Sequence, residues 1–178
     1  FKRTKNGELV NDLVSSCEVS EDALSYTLKL KEGVLWHDES GFSADDVVFT
    51  VESIKNKKYE SPLRLSLLGV NIEKINNHTV KFTLSEAYSA FLELLTFGIL
   101  PKNIWSQIPV EYAGVAKTNL NPIGTGPYKL EEFFRKENAG TVMRYNLVAN
   151  NNYYGDIPKT NINFYLYLDF HSAIGALN

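Results

Sequence analysis

Trp36-His37-Asp38-Glu39 sets an imidazole beside two carboxylates, side-chain types that ligate metals or move protons near neutral pH. In an extended segment, however, consecutive side chains point to opposite faces, so His37 and Asp38 diverge. A metal site needs at least three converging ligands, and His78 and His171 stand in no spacing relation to His37. The pattern favours a structural role, with Asp38 organising the turn before the next helix and His37 hydrogen-bonding locally. The second candidate is Gly124-Thr125-Gly126 inside NPIGTGPY, whose G-x-G spacing could cradle a phosphate. A phosphate loop needs Lys-Ser/Thr after its glycines and a following helix; a dinucleotide fingerprint needs a third glycine as well. Pro127-Tyr128 follows instead, and Tyr128 and Leu130 alternate as in a strand. The stretch therefore reads as a turn that opens a strand.

Other chemistry has less support. No G-x-S-x-G elbow occurs, and Cys17 lies in a polar stretch with no histidine near it in sequence. Asp45-Asp46 fits the first turn of a helix, and Glu131-Glu132 fits a solvated strand edge. Nothing points to the distant carboxylate pair of a glycosidase. Tyr153-Tyr154 could stack a ligand, but in a strand-rich region rings that cap a sheet edge are the favoured reading.

These groups must be held by a core, and the chain can supply one. Its 178 residues suffice for one good-sized domain or two small ones, and 44% are hydrophobic against 22% charged. Ten Tyr and ten Phe favour strands and ring-lined concave surfaces. A net charge of −3 without clustered Lys or Arg argues against nucleic acid as a partner. A single cysteine excludes an intrachain disulfide and a thiolate-rich metal site. No apolar run approaches the roughly 20 residues of a membrane span. The chain opens on Phe1, so its sequence carries no testimony about a leader.

Tyr26–Lys31 alternates apolar and polar residues, which predicts a strand with one buried face, and Glu32-Gly33 predicts a turn. Ser43–Asn56 reads as a helix with Ser43 as N-cap and Asp45 and Asp46 in the first turn. Ala44, Val47, Val48, Val51 and Ile54 form its buried stripe. Val70–Ile75 and Thr79–Leu84 predict a hairpin joined by Asn76-Asn77, since Asn tolerates the left-handed backbone of such turns. Ser89–Phe97 reads as a short helix, and Pro101 opens another that runs to Trp105. Ile108–Asn121 reads as a connector. Strands are expected at Tyr128–Phe134, Thr141–Ala149 and Asn161–Phe170, with the Asn150-Asn151-Asn152 run as a loop. The fold class is α+β, with mixed sheets and flanking helices.

In order, these segments resemble the bacterial extracellular solute-binding proteins of the peptide/nickel type, family 5, which serve ABC importers. YTLKLKEGVLWHDESGFSADDVVFTVESI is similar to that family's signature run, and TVKFTLSEAYSAFLELLTFGILPKNIW to its next block. NPIGTGPYKL resembles the P-[IV]-G-T-G-P-Y block, and NNNYYGDIPKTNINFYLYLD the block after it. The four blocks span about residues 9 to 170. The resemblance implies a larger, two-lobed protein of the periplasmic-binding-protein type (class II, peptide-binding) that closes around a ligand by hinge motion. On it, residues 1–115 are an extra subdomain of the first lobe and residues 116–178 part of that lobe's main sheet. The second lobe and the extreme N-terminal strand fall outside the chain.

The implied function is capture of a peptide or similar small solute for delivery to the membrane subunits of an ABC importer, without catalysis, cofactor or metal. The implied setting is extracytoplasmic, periplasmic or cell-surface, for a monomer whose only membrane contact is a lipid anchor. His37, Asp38, Asp46, Gly124, Thr125, Gly126, Pro127 and Tyr128 carry over as architecture. Leu63 and Tyr128 carry over as residues near the ligand cleft. The sequence departs from the pattern at Glu39, where the family prefers Gly, and at Leu63, where oligopeptide-binding relatives often present an aromatic. The rival readings are a sensor or pheromone-receptor module built on the same half-fold, and a hydrolase that uses the His37 cluster.

Overall fold

A computed structural model describes residues 1–135 and 142–176. The α+β expectation holds. β1 (Lys2–Arg3) and β2 (Leu9–Val10) form a short ribbon. β3 (Val14–Val19) and β4 (Ser25–Leu30) then begin a four-stranded antiparallel sheet. After α1 (Ala44–Lys55) and the single turn α2 (Arg64–Leu67), β5 (Val70–Asn76) and β6 (Thr79–Leu84) complete it in the order β3-β4-β6-β5. Period-two patterning decides its faces: Tyr26, Leu28 and Leu30 of β4 are buried, as are Val80, Phe82 and Leu84 of β6. Phe91 sits under this face, fully buried, with its ring 4.7 Å from Tyr26 and 5.5 Å from Phe82.

Helix α1 covers the same core through Ala44, Val47, Val51 and Ile54, while Val48 of the expected stripe is only partly buried. Ser43 is its N-cap residue, and the Ser43 N–H donates to the Asp46 carboxylate at 2.9 Å. That carboxylate is buried and also accepts the Lys102 N–H at 2.8 Å. One turn on, the Thr50 hydroxyl donates to the Asp46 carbonyl and accepts the Leu100 N–H. Two polar side chains on a buried face are tolerable because each is hydrogen-bonded. Together they fasten residues 100–102 to the helix.

The next segments are shorter than the sequence suggests. The helix expected over Ser89–Phe97 is only α3 (Phe91–Leu94), ended where the Thr96 hydroxyl donates to the Glu93 carbonyl. α4 (Lys102–Trp105) follows Pro101, and the connector holds two 3-10 turns, Val110–Val115 and Lys117–Asn119. The hairpin between β5 and β6 forms, but its turn lies at Asn77-His78 and neither residue is left-handed. A register shift between Lys74 and Asn76 supplies the needed twist instead.

β7 (Tyr128–Arg135), β8 (Val142–Ala149) and β9 (Ile162–Tyr165) build a second antiparallel sheet. Thr141, expected to open β8, lies outside the described residues. β9 stops at Tyr165, not Phe170 as expected, although the Leu166 N–H still reaches the Met143 carbonyl. The alternation continues, but Asp169 caps α5 (Phe170–Gly175) by accepting the Ser172 N–H at 2.8 Å.

Glu39 stands where the resembling family prefers glycine, and its φ is +69°. The turn keeps its left-handed residue: the Trp36 N–H donates to the Ser40 carbonyl, and Asp38 accepts from the Ser40 N–H and hydroxyl. Such a backbone costs a residue with a side chain about 1–2 kcal/mol, partly offset here by the larger entropy that glycine loses on folding. Glu39→Gly is therefore expected to raise stability by about 0.5–1 kcal/mol, read as a higher urea midpoint at unchanged m. A lower midpoint would show that the Glu39 side chain contributes more than its backbone costs.

Candidate functional site

His37 does not hydrogen-bond locally. Its main-chain N–H donates to the Gly124 carbonyl at 2.9 Å, and its Nδ1 accepts the Gly124 N–H at 3.1 Å. Because Nδ1 is an acceptor, the ring proton sits on Nε2, which lies 3.1 Å from the Gly126 carbonyl and donates to it. The correction has a physical cause. An extended segment presents His37 and Asp38 to opposite sides, and only tertiary folding brings a partner to the His37 side. A Cβ on Gly124 would stand 3.4 Å from the imidazole Cε1, in ordinary van der Waals contact with the ring.

Asn150 completes this clamp. It is 2% exposed, and its side-chain amide donates to the same Gly126 carbonyl at 3.0 Å while its N–H donates to the Pro127 carbonyl. Both lone pairs of Gly126 are thereby used. The Gly124 N–H is committed to His37 and unavailable to an anion, and both imidazole nitrogens are engaged. Among the described residues, no group of three or more His, Cys, Asp or Glu side chains is placed to hold a metal. Gly124 and Thr125 also border a cavity of about 340 Å³ whose walls are mainly core residues, among them Leu30, Trp36 and Phe82.

Tyr154 ties the halves of the chain at a second point. Its hydroxyl donates to Asp12 at 3.0 Å, Lys2 pairs with the same carboxylate, and the Lys31 ammonium lies 4.9 Å from its ring centre. Burial, then the Asp12 charge, push its pKa far above the ordinary tyrosine value. The expected edge-capping role is thus corrected: Tyr154 packs on the core of the first sheet.

The structure separates Leu63 from the clamp. Leu63 is half-buried in the wall of a groove of about 430 Å³, with Tyr59, Phe97 and Trp105 supplying the rings and Ile54 and Leu100 the floor. Tyr128 is not part of that lining; it opens β7 opposite Ala149. A second recess of about 290 Å³ shares Tyr59, Leu100, Trp105 and Ala113, so these four residues form a partition between the two. The groove draws on five separate stretches, so no local spacing could have announced it. Burial raises the pKa of the Tyr59 hydroxyl, which keeps that wall neutral.

A four-stranded antiparallel subdomain clamped through His37 to a second sheet is the periplasmic-binding-protein fold in part. AppA, the oligopeptide-binding protein of Bacillus subtilis solved with a nonapeptide, superposes with a TM-score of 0.85 at 27% identity; the match covers 99% of this chain and 35% of that one. NikZ of Campylobacter jejuni, solved with Ni(L-His), gives a TM-score of 0.83 at 35% identity, over 99% of this chain and 34% of that one. The dipeptide-binding protein of Escherichia coli K12 is 32% identical over 146 residues, 71% of this chain and 27% of that protein. The model of bacterial extracellular solute-binding proteins, family 5 Middle, matches residues 8–177, and the chain belongs to this family. It spans about a third or less of the length of these relatives.

Burial pulls the His37 pKa below its ordinary value of 6.5, with Lys129 adding to the effect and the Gly126 backbone bond and Asp38 opposing it. The neutral ring is thus the folded form. Above pH 6.5 both states are neutral and the clamp contributes fully. As pH falls below that, the unfolded chain takes the proton first, and stability is lost through the folded pKa. The urea midpoint is expected to drop between pH 7.5 and pH 5 in the native protein. His37→Ala should cost about 1–3 kcal/mol at pH 7.5 through its two lost side-chain bonds and flatten that dependence. An equally steep drop in the variant would assign the effect to other groups.

Proposed function

We propose that the chain is part of an extracytoplasmic solute-binding protein that captures a peptide or similar small solute for an ABC importer. The Leu63 groove supports this most directly: an open, ring-lined recess with few polar groups, on a scaffold shared with proteins solved with a nonapeptide and with Ni(L-His). In this reading residues 1–115 are the extra subdomain of the first lobe and residues 116–178 begin its main sheet. Leu63 and Tyr128 face the cleft, and the His37 clamp keeps the two parts in fixed relation. A second lobe closes over the solute, whose main chain is met by hydrogen bonds and whose side chains enter apolar recesses. The protein works as a monomer, lipid-anchored or periplasmic, and binds without catalysis.

Isothermal titration of a di- to nonapeptide series into this chain and into the full-length protein tests the reading. Binding is expected in the longer protein and at least about tenfold weaker in the chain alone, because half the cleft is missing. Leu63→Asp in the longer protein should weaken binding about tenfold, since a carboxylate in an apolar wall is desolvated without a partner. Equal peptide affinity for chain and full-length protein would sink the two-lobed account. Unchanged affinity in the Leu63 variant would remove the groove from the site.

A further inference from the structure

The Leu63 groove has an uneven charge. Glu60 is the single ionisable carboxylate in its lining, and neither lysine nor arginine contributes to it. Glu60 is exposed at the rim, held in a left-handed conformation (φ +55°) as the residue that ends the 3-10 turn Lys57–Tyr59. Its N–H donates back to the Lys57 carbonyl. The nearby cations are engaged or outside the groove: Lys58 pairs with Glu111 at 3.6 Å, Lys55 with Glu52 at 2.9 Å, the Arg64 guanidinium donates to the Lys55 carbonyl at 3.1 Å, and neither Arg64 nor Lys57 is part of the lining.

Three neutral polar side chains of the groove already hold hydrogen bonds, the Ser61 hydroxyl by accepting the Leu63 N–H at 3.2 Å. The Thr50 hydroxyl bonds the Asp46 carbonyl and the Leu100 N–H, and the Asn119 amide donates to the Ala113 carbonyl at 2.8 Å. What the recess offers a solute is therefore an apolar, aromatic wall with one negative charge at its edge. Aromatic faces are themselves attractive to cations, so rings and carboxylate select the same sign.

We infer that this groove takes a group that is apolar and carries a positive charge, an ammonium or guanidinium beside a hydrocarbon or ring, with Glu60 meeting the charge. A basic or N-terminal peptide residue with an apolar neighbour has this chemistry. The inference rests on the proposal that the Leu63 groove receives the solute, and adds to it the charge of what is received. A carboxylate-bearing group is disfavoured at the same place, because it would approach Glu60 with no compensating cation in the lining.

Three matched probes separate the two ideas: phenethylammonium, 2-phenylethanol and 3-phenylpropionate, titrated into the full-length protein while the Leu63 methyl and Trp105 indole resonances are followed. All three share one ring, so the apolar contribution is held constant. The ammonium is expected to bind about 2- to 5-fold more tightly than the alcohol, the range for one exposed ion pair, and the propionate more weakly than either. Glu60→Gln should bring the three together, and raised salt should do the same in the native protein. Equal affinities in the native protein, with both resonances shifting, would overturn the charge assignment and leave the groove intact. No shift at Leu63 or Trp105 with any probe would overturn the groove itself.

Discussion

The imidazole of His37 reaches across 87 residues of sequence to lie on Gly124, and the relation between the two sheets depends on that contact. Its geometry imposes three conditions at once. The ring must be neutral, because Nδ1 accepts a hydrogen bond and Nε2 donates one. The main chain at position 124 must lie against the ring, because its N–H donates to Nδ1 and its carbonyl accepts the His37 N–H. The chain beyond Pro127 must turn at once into β7, so that Asn150 at the end of the neighbouring strand can share the Gly126 carbonyl. These conditions tie the residues around His37, the GTGPY stretch and the Asn150 loop into one unit, although they lie far apart along the chain. The second tie, through Tyr154 and Asp12, acts at a different place and with charge.

Around the first sheet the same logic works at shorter range. Asp46 and Thr50 sit on the buried face of α1, where a purely apolar stripe would have packed without specifying what comes next. By accepting the N–H groups of Lys102 and Leu100 they fix residues 100–102 against the helix. α4 is thereby held so that Trp105 borders the groove opposite Leu63. Asp45, one residue earlier on the exposed side, pairs with both Lys74 and Lys102 and adds a solvated version of the same link. The polar interior therefore positions an apolar recess.

Much of this fold was legible because its signals are local. The alternation of Tyr26, Leu28 and Leu30 and the stripe from Ala44 to Ile54 each repeat with the period of one element, and burial followed the pattern. β3 was not legible, since Ser15, Ser16, Cys17 and Glu18 break the alternation on an edge strand with one buried residue, Val14. The end of β9 is not legible either, because apolar alternation runs on through Leu168 although the strand stops at Tyr165 and Asp169 caps a helix. For the site, the turn character of GTGPY could be read, as could the role of Asp38 beside Ser40. The partner of His37 could not, because nothing local distinguishes an imidazole that bonds its neighbours from one that bonds a glycine 87 residues on. Asn150 was hidden in a run of three asparagines for the same reason.

The groove shows the limit most clearly, and also why recesses of this kind resist reading from sequence. Tyr59, Leu63, Phe97 and Trp105 would each pass for ordinary core residues in a hydropathy pattern. They line a recess only because the elements that carry them are short. α2 is a single turn, α3 and α4 are four residues each, and the connector is made of 3-10 turns. Such elements cannot present a continuous apolar stripe to one another, so ridges and grooves do not close over the rings as they do around α1. The regular elements around the first sheet spend their apolar residues on a sealed core, and the irregular ones leave their aromatics half-covered. A scaffold that must be rigid in one place and open in another is built by that division of element length.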